Sequence, residues 1–182
     1  MKKIIISLIL VCFIDKLDAQ WQFMGLNPNN GNFNVVNCIV IKNDTIFAGT
    51  NNSGAYFSAN AGSSWTPILP NYMMNDNITA LAISGNNIFI ETNINGLYLS
   101  SNNGSSWSKS YKGLPSNFVV NSFAINDTNF FASVFDQTGK SNSGIYLSTN
   151  NGNSWHYVGG VPSNAYMGKY LMYLSFVAGI YP

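Results

Sequence analysis

The sequence predicts an all-β chain, an incomplete β-propeller of four-stranded antiparallel blades with three full blades and a partial blade at each end. Three observations carry that reading. The pattern S-x-N-x-G-x-S-W occurs three times, ending at Trp65, Trp107 and Trp155. The strand-like runs before each copy align with one another at a period of about 42 residues. Beyond the first twenty residues no segment sustains a helical period. A β-sandwich would also give regular strands, but not one octapeptide at a fixed place in every fourth hairpin.

The N-terminus is read first. Met1-Lys2-Lys3 is basic, Ile4 to Ile14 is an apolar run of eleven, and a polar stretch leads to Ala19. That order is the order of a secretory signal peptide over residues 1–19, cleaved near Ala19. The run is shorter than the roughly 20 residues a membrane-spanning helix needs. A buried N-terminal element and a lipoprotein modified at Cys12 are the alternatives, and bulky Val11 counts against the second. The protein is therefore expected to be secreted, extracellular or periplasmic. Cleavage would leave five Lys, five carboxylates and Cys38 as the sole thiol, so no internal disulfide is expected.

The first stretch of the remaining chain, Trp21 to Leu26, resembles the segment after each later octapeptide, so the chain is expected to open on the last strand of a blade. Three units follow, at about 35–69, 77–111 and 119–158. In each, a first strand aligns: Val36-Asn-Cys38-Ile-Val-Ile41, Ile78-Thr-Ala80-Leu-Ala-Ile83 and Val120-Asn-Ser122-Phe-Ala-Ile125. Phe47, Phe89 and Phe131 mark the second strand, and Tyr56, Tyr98 and Tyr146 the third. The second unit reads as strands over 78–83, 88–92, 96–100 and 106–111, separated by Asn/Gly turns. The third unit is six residues longer than the others, and the excess falls in a polar loop between Asp136 and Gly144. Past Trp155 the register is lost, so the propeller is expected to be incomplete. It is read as a fragment, a frameshifted end, or an oligomer that closes its ring through exposed edge strands.

The octapeptide resembles the Asp-box of bacterial neuraminidase repeats, found in the propellers of sialidases, sortilin, xyloglucan-degrading glycosidases and photosystem II assembly factors. The resemblance covers about residues 21–158, within an incomplete propeller over 20–182. It implies a structural motif made of Ser58, Asn60, Gly62, Ser64 and Trp65, of Ser100, Asn102, Gly104, Ser106 and Trp107, and of Ser148, Asn150, Gly152, Ser154 and Trp155. In that motif the third-position side chain and the first Ser accept hydrogen bonds from the turn, Gly permits a left-handed backbone, and Trp packs between sheets. Asn60, Asn102 and Asn150 stand where the family has Asp. That weakens the cap and removes the anionic oxygen a calcium ion would prefer.

Composition narrows the chemistry. Only 8% of residues are charged, against about 25% in an average protein, while 28 of 182 are Asn. A formal charge of +1 attracts neither nucleic acid nor an anionic membrane. The chain has no Arg, which disfavours sialidase activity, because that family grips its substrate carboxylate with Arg. One His and two Cys do not suggest a zinc cluster, and no catalytic residue, cofactor or metal site is expected. The mature carboxylates are Asp44, Asp76, Glu91, Asp127 and Asp136. Asp44 and Asp127 are expected to form equivalent turns, and Asp76 and Asp136 to be solvated loop charges, the alternative being that either lines a ligand surface. Glu91 is expected at the outer face or near the channel, His156 at the surface, and Cys38 as a packed small side chain.

Tyr72, Tyr111, Phe118 and Tyr157 fall in or near the connections between units. They are the best candidates for stacking on a sugar or anchoring a protein, although core packing is the expected role of most of them. The expectation is a secreted, non-enzymatic repeat protein that binds or scaffolds an unknown protein or glycan. The alternative is the remnant of a propeller-type glycoside hydrolase, which would need two carboxylates flanking a sugar.

Overall fold

The computed structural model describes residues 35–138 and 142–160. The proposed signal peptide, the strand after Trp21 and the chain past residue 160 lie outside the described residues. Three four-stranded antiparallel sheets follow one another, with no α-helix among the described residues. Blade 1 contains β1 (Val36–Lys42), β2 (Thr45–Thr50), β3 (Ala55–Ser58) and β4 (Thr66–Pro67). A single 3-10 turn, Asn71–Met73, leads to blade 2. Blade 2 contains β5 (Ile78–Ser84), β6 (Asn87–Thr92), β7 (Gly96–Ser100) and β8 (Ser108–Lys109). Blade 3 contains β9 (Phe118–Asn126), β10 (Asn129–Asp136), β11 (Gly144–Ser148) and β12 (His156–Gly159). In every sheet the strands pair in chain order. Successive blades meet through their first strands, β1 beside β5 and β5 beside β9. That is the arrangement of β-propeller blades around an axis.

The first strands carry apolar residues on both faces, and β5, the central one, is covered on both by its neighbours β1 and β9. The face toward the preceding blade carries large residues: Leu81 and Ile83 in β5, Phe123 and Ile125 in β9. The face toward the following blade carries small ones: Ala80 and Ala82, Ser122 and Ala124. Large side chains therefore pack into the room left by small ones. Between blades 1 and 2 the core holds Phe47, Ala55, Leu69, Met73, Ile78, Leu81, Ile88, Ile90 and Tyr98. Between blades 2 and 3, Phe89 stacks at a tilt on Phe130 with centroids 4.8 Å apart and meets Trp155 edge-on at 5.9 Å.

The register of every first strand shifts at one place, between Val36 and Cys38, between Ile78 and Ala80, and opposite Ser133/Val134 in blade 3. The extra residue of this β-bulge is Asn37, Thr79 or Asn121. The first two side chains bond to the next blade. Asn37 Nδ2 donates to the Ile78 carbonyl at 3.0 Å, and Thr79 Oγ1 to the Val120 carbonyl at 3.4 Å. Apolar packing thus holds the blades together, and polar links from the bulge residues are among the bonds that cross each junction.

The last strand of blade 2 is shorter than its sequence suggests. Its ladder sets Ser108 opposite Leu99 and Lys109 opposite Tyr98, Ser110 N–H adds a bond to the Leu97 carbonyl at 2.9 Å, and the preceding turn takes the Ser106 N–H. At the hairpins joining first and second strands, Asn43, Gly85 and Asp127 share the left-handed conformation. Asp127 therefore matches Asn43 rather than Asp44, which corrects the expected equivalence of the two aspartates.

Candidate functional site

The three octapeptide turns are closed networks of one design. The first Ser ends the third strand of its blade, and its Oγ accepts the N–H of the Gly four residues on, at 2.8 Å for Gly62 and Gly104 and 2.9 Å for Gly152. The same hydroxyl donates to the Asn side-chain oxygen at 2.9 Å in every copy. That oxygen accepts the backbone N–H of Ser64, Ser106 or Ser154 at 2.9 Å. The amide nitrogen returns a bond to the hydroxyl of the same Ser, at 2.8 to 2.9 Å. Ala61, Asn103 and Asn151 are left-handed, as is the Gly after each. The amide uses both its oxygen and its nitrogen on the turn itself.

The turns of blades 2 and 3 are also pressed against the blade before them. A Cβ on Gly152 would stand 2.3 Å from Phe89 Cε1 of blade 2, and one on Gly104 2.6 Å from Ile68 Cγ1 beyond β4. Trp155 is buried and donates its indole N–H to the Ser110 carbonyl and hydroxyl, both at 3.1 Å. Trp107 is half-buried on the blade 1–2 core, with its N–H on the Gly104 carbonyl at 3.1 Å. Trp65 is half-buried. The described geometry spends these side chains on turn closure and blade contact.

The carboxylates depart from expectation. Asp76 and Asp136, read from the sequence as solvated loop charges, are both buried. Asp76 accepts the Asn95 amide at 2.6 Å, and its carbonyl accepts Gly54 N–H at 3.0 Å, which ties the connection after β4 to two neighbouring loops. Asp136 accepts Thr138 N–H at 2.9 Å, the Thr138 hydroxyl at 2.6 Å and the Asn142 amide at 3.0 Å. Each carboxylate thus accepts hydrogen bonds from loop groups around it. Glu91 does not lie at the outer face but is enclosed between blades 2 and 3 at 1% exposure. Oε1 accepts Val120 N–H at 3.2 Å, and Oε2 has no partner. Burial pushes its pKa up to about 8, and the Val120 bond only partly offsets that. At the matching positions blade 1 has Gly49, packed on Ile78, and blade 3 has buried Ser133. His156 is exposed. Cys38 is half-buried, and burial raises its thiol to about 11, which leaves it protonated and unreactive at neutral pH.

The exposed aromatic groups gather where the connections between blades lie. Tyr72 follows β4 and is 67% exposed; Tyr111 follows β8 and is 52% exposed. Between them stands Tyr98 of β7, whose ring is buried in the blade 1–2 core. Burial raises the Tyr98 phenol, and Tyr72, Asp76 and Tyr111 close by raise it further. Lys109 lies over the Tyr111 ring at 5.8 Å. The same face carries Ile94, exposed in the loop between β6 and β7, and the Asp76–Asn95 pair. Tyr157 is half-exposed on β12 and meets Tyr146 edge-on at 5.5 Å. Phe118 packs on the blade 2–3 core, the role expected of most of these rings. Of these groups the sequence points to Tyr72 and Tyr111 and to Asp76 as a charge that could line a ligand surface, while Tyr98 reads only as a strand residue. The available signal was spacing: Tyr98 and Asp76 are each near a connection but look like strand core and loop charge.

Among the described residues no group of three or more His, Cys, Asp or Glu could hold a metal ion, and no helix is long and apolar enough to cross a membrane.

No family model matches the chain, and no curated protein matches it. Solved structures do. An ancestral GH74 enzyme superposes with a TM-score of 0.52 at 22% identity, over 69% of this chain and 18% of the enzyme. The GH74 xyloglucanase of Xanthomonas campestris superposes with a TM-score of 0.53 at 18% identity, over 75% of this chain and 23% of the enzyme. YCF48 of Cyanidioschyzon merolae is similar over 67% of this chain and 36% of its own length, at 16% identity and a TM-score of 0.46. The chain thus spans about a fifth of the two enzymes. At these identities the likeness is one of fold, that of a partial β-propeller.

Proposed function

We propose that this protein is a secreted, non-enzymatic propeller module of the Asp-box kind, which binds a polar partner, glycan or protein, through its tyrosine-bearing connection face. The observation that carries the reading is the contrast between two sets of side chains. Asn60, Asn102 and Asn150 and the carboxylates of Asp76 and Asp136 are spent on their own turns and loops. Tyr72 and Tyr111 are instead held out to solvent beside Tyr98 and Asp76. Tyrosine offers a flat apolar face and a hydroxyl at little entropic cost, which suits both sugar stacking and protein anchoring.

The test is binding of the purified chain to an oligosaccharide array and to secreted proteins of its source, compared with a Tyr72→Ala/Tyr111→Ala variant. A ligand whose affinity falls tenfold or more in the variant supports the proposal. Binding unaffected by both substitutions, or no binding at all, sinks it. Hydrolysis of a glycan that disappears in Glu91→Gln would favour the hydrolase-remnant reading instead. Secretion is checked separately: N-terminal sequencing of exported protein should begin at Gln20.

A further inference from the structure

Two junctions between blades lie within the described residues, and they differ at one buried position. In the blade 1–2 junction Gly49 of β2 packs directly on Ile78, where a Cβ would stand 2.5 Å from Ile78 Cγ2. In the blade 2–3 junction the matching residue of β6 is Glu91, which is fully buried. Its neighbours in its own sheet are Ala80 and Leu97, both buried and apolar. Across the junction it meets Val120, which blade 2 holds by both backbone groups. Glu91 Oε1 accepts the Val120 N–H at 3.2 Å, and Thr79 Oγ1 donates to the Val120 carbonyl at 3.4 Å. Oε2 has no partner among the described residues.

The strands around Glu91 bring it no cation. β5 and β9 carry no titratable residue, and β7 carries only Tyr98, whose ring lies in the other core, between blades 1 and 2. Lys109, Tyr111 and Lys112, after β7, are exposed. In blade 3 beyond β9, Asp136 and Tyr146 are bonded to the loop that follows β10. Burial raises the Glu91 carboxyl, and the Val120 N–H is the group that opposes it. A neutral carboxyl suits this place. An ionised one does not, because an unpaired buried charge costs far more than a buried polar group.

We propose that Glu91 is a pH-sensitive latch of the blade 2–3 junction: with its carboxyl protonated the two blades close on each other, and ionisation favours a form in which blade 3 separates from blade 2 and the carboxylate reaches water, while the blade 1–2 junction stays shut. Opening returns the carboxyl from about 8 to its ordinary 4.5. The opening constant then rises about tenfold per pH unit between those two values and levels off above the higher one. The blade 1–2 junction has no carboxyl in that place. Cys38 lies beside Gly49 there, and its thiol, raised to about 11, stays protonated over this range.

The experiment is amide hydrogen exchange of the full chain, followed residue by residue by NMR between about pH 5.5 and 7.5, with each rate divided by the intrinsic rate at that pH. Two N–H groups report on the blade 2–3 junction: Val120, bonded to Glu91, and Trp155, which donates to the Lys112 carbonyl at 2.8 Å. Gly54 reports on the blade 1–2 side, since its N–H donates to the Asp76 carbonyl at 3.0 Å. Protection at Val120 and Trp155 should fall about a hundredfold over the two pH units, while that at Gly54 changes less than about threefold. Glu91→Gln should abolish the fall. Protection at Val120 and Trp155 that ignores pH overturns the proposal, as does a fall that persists in Glu91→Gln. An equal fall at Gly54 overturns it too, because ionisation would then be linked to unfolding of the whole chain. If Glu91→Gln does not fold, the contrast between the two junctions of the wild-type chain decides.

Discussion

Asn102 illustrates how much of an octapeptide turn hangs on one amide. Its oxygen takes the Ser106 N–H and the Ser100 hydroxyl, and its nitrogen reaches the Ser106 hydroxyl. Asn102→Ala should lower stability by about 1–2 kcal/mol in a denaturant titration, because two donors lose their acceptor. Glu91 sets a different dependence. Its carboxyl is raised from an ordinary 4.5 to about 8 in the folded chain by burial. The folded state therefore holds its proton after the unfolded chain has released one. Glu91's contribution is fully present below about pH 4.5, is lost as pH rises toward 8, and is constant above that. The loss is on the order of 5 kcal/mol. Glu91→Gln should flatten stability against pH across that window, and an unchanged pH profile by thermal melting would refute the assignment. Neither Glu91's enclosure nor the burial of Asp76 and Asp136 was legible in the sequence. An isolated acid in a strand or loop looks alike whether it meets water or the edge of another sheet.

The octapeptide turn is both a hairpin and a contact between blades. Gly152 is left-handed and lies against the Phe89 ring of the preceding blade. Gly152→Ala should cost about 2–4 kcal/mol, from the backbone conformation together with the clash. Gly85 makes the control. It is also left-handed but has nothing within 4 Å of a Cβ, so Gly85→Ala should cost only about 1–2 kcal/mol. Equal costs in urea unfolding would mean that the approach to Phe89 is immaterial. The bulges were half visible beforehand. Asn37, Thr79 and Asn121 interrupt three apolar runs at 42-residue intervals, but a polar residue in a strand does not by itself announce an extra residue in the ladder. Their meaning appears only when the partner strand skips them and their side chains cross to the next blade.

At the scale of the described blades, the octapeptide turns and the connections carry different functional groups. Asn-rich turns close the hairpins, and tyrosines stand at the connections. Tyr72→Ala/Tyr111→Ala should remove ligand binding while changing stability by no more than about 0.5 kcal/mol per site, as exposed positions do. A large drop in melting temperature would show instead that the rings belong to the core. The third ring, Tyr98, is expected to respond differently: Tyr98→Ala should destabilise the chain by about 3–5 kcal/mol, because its ring is buried between blades 1 and 2.

Repetition made the architecture readable from the sequence. Four strand patterns, a turn motif and a Trp recur at nearly constant spacing, so each copy corroborates the others, and the all-β propeller follows from local signals alone. The tertiary structure decided which of two apolar faces meets which neighbour, that Glu91 is shut between blades, that Phe118 is packed while Tyr72 is not, and that Asn37 and Thr79 lock adjacent sheets together. The physical reason is range. Turn chemistry and strand alternation act within a few residues, whereas burial, pKa and exposure depend on side chains about forty residues away that only stacking of the blades brings together.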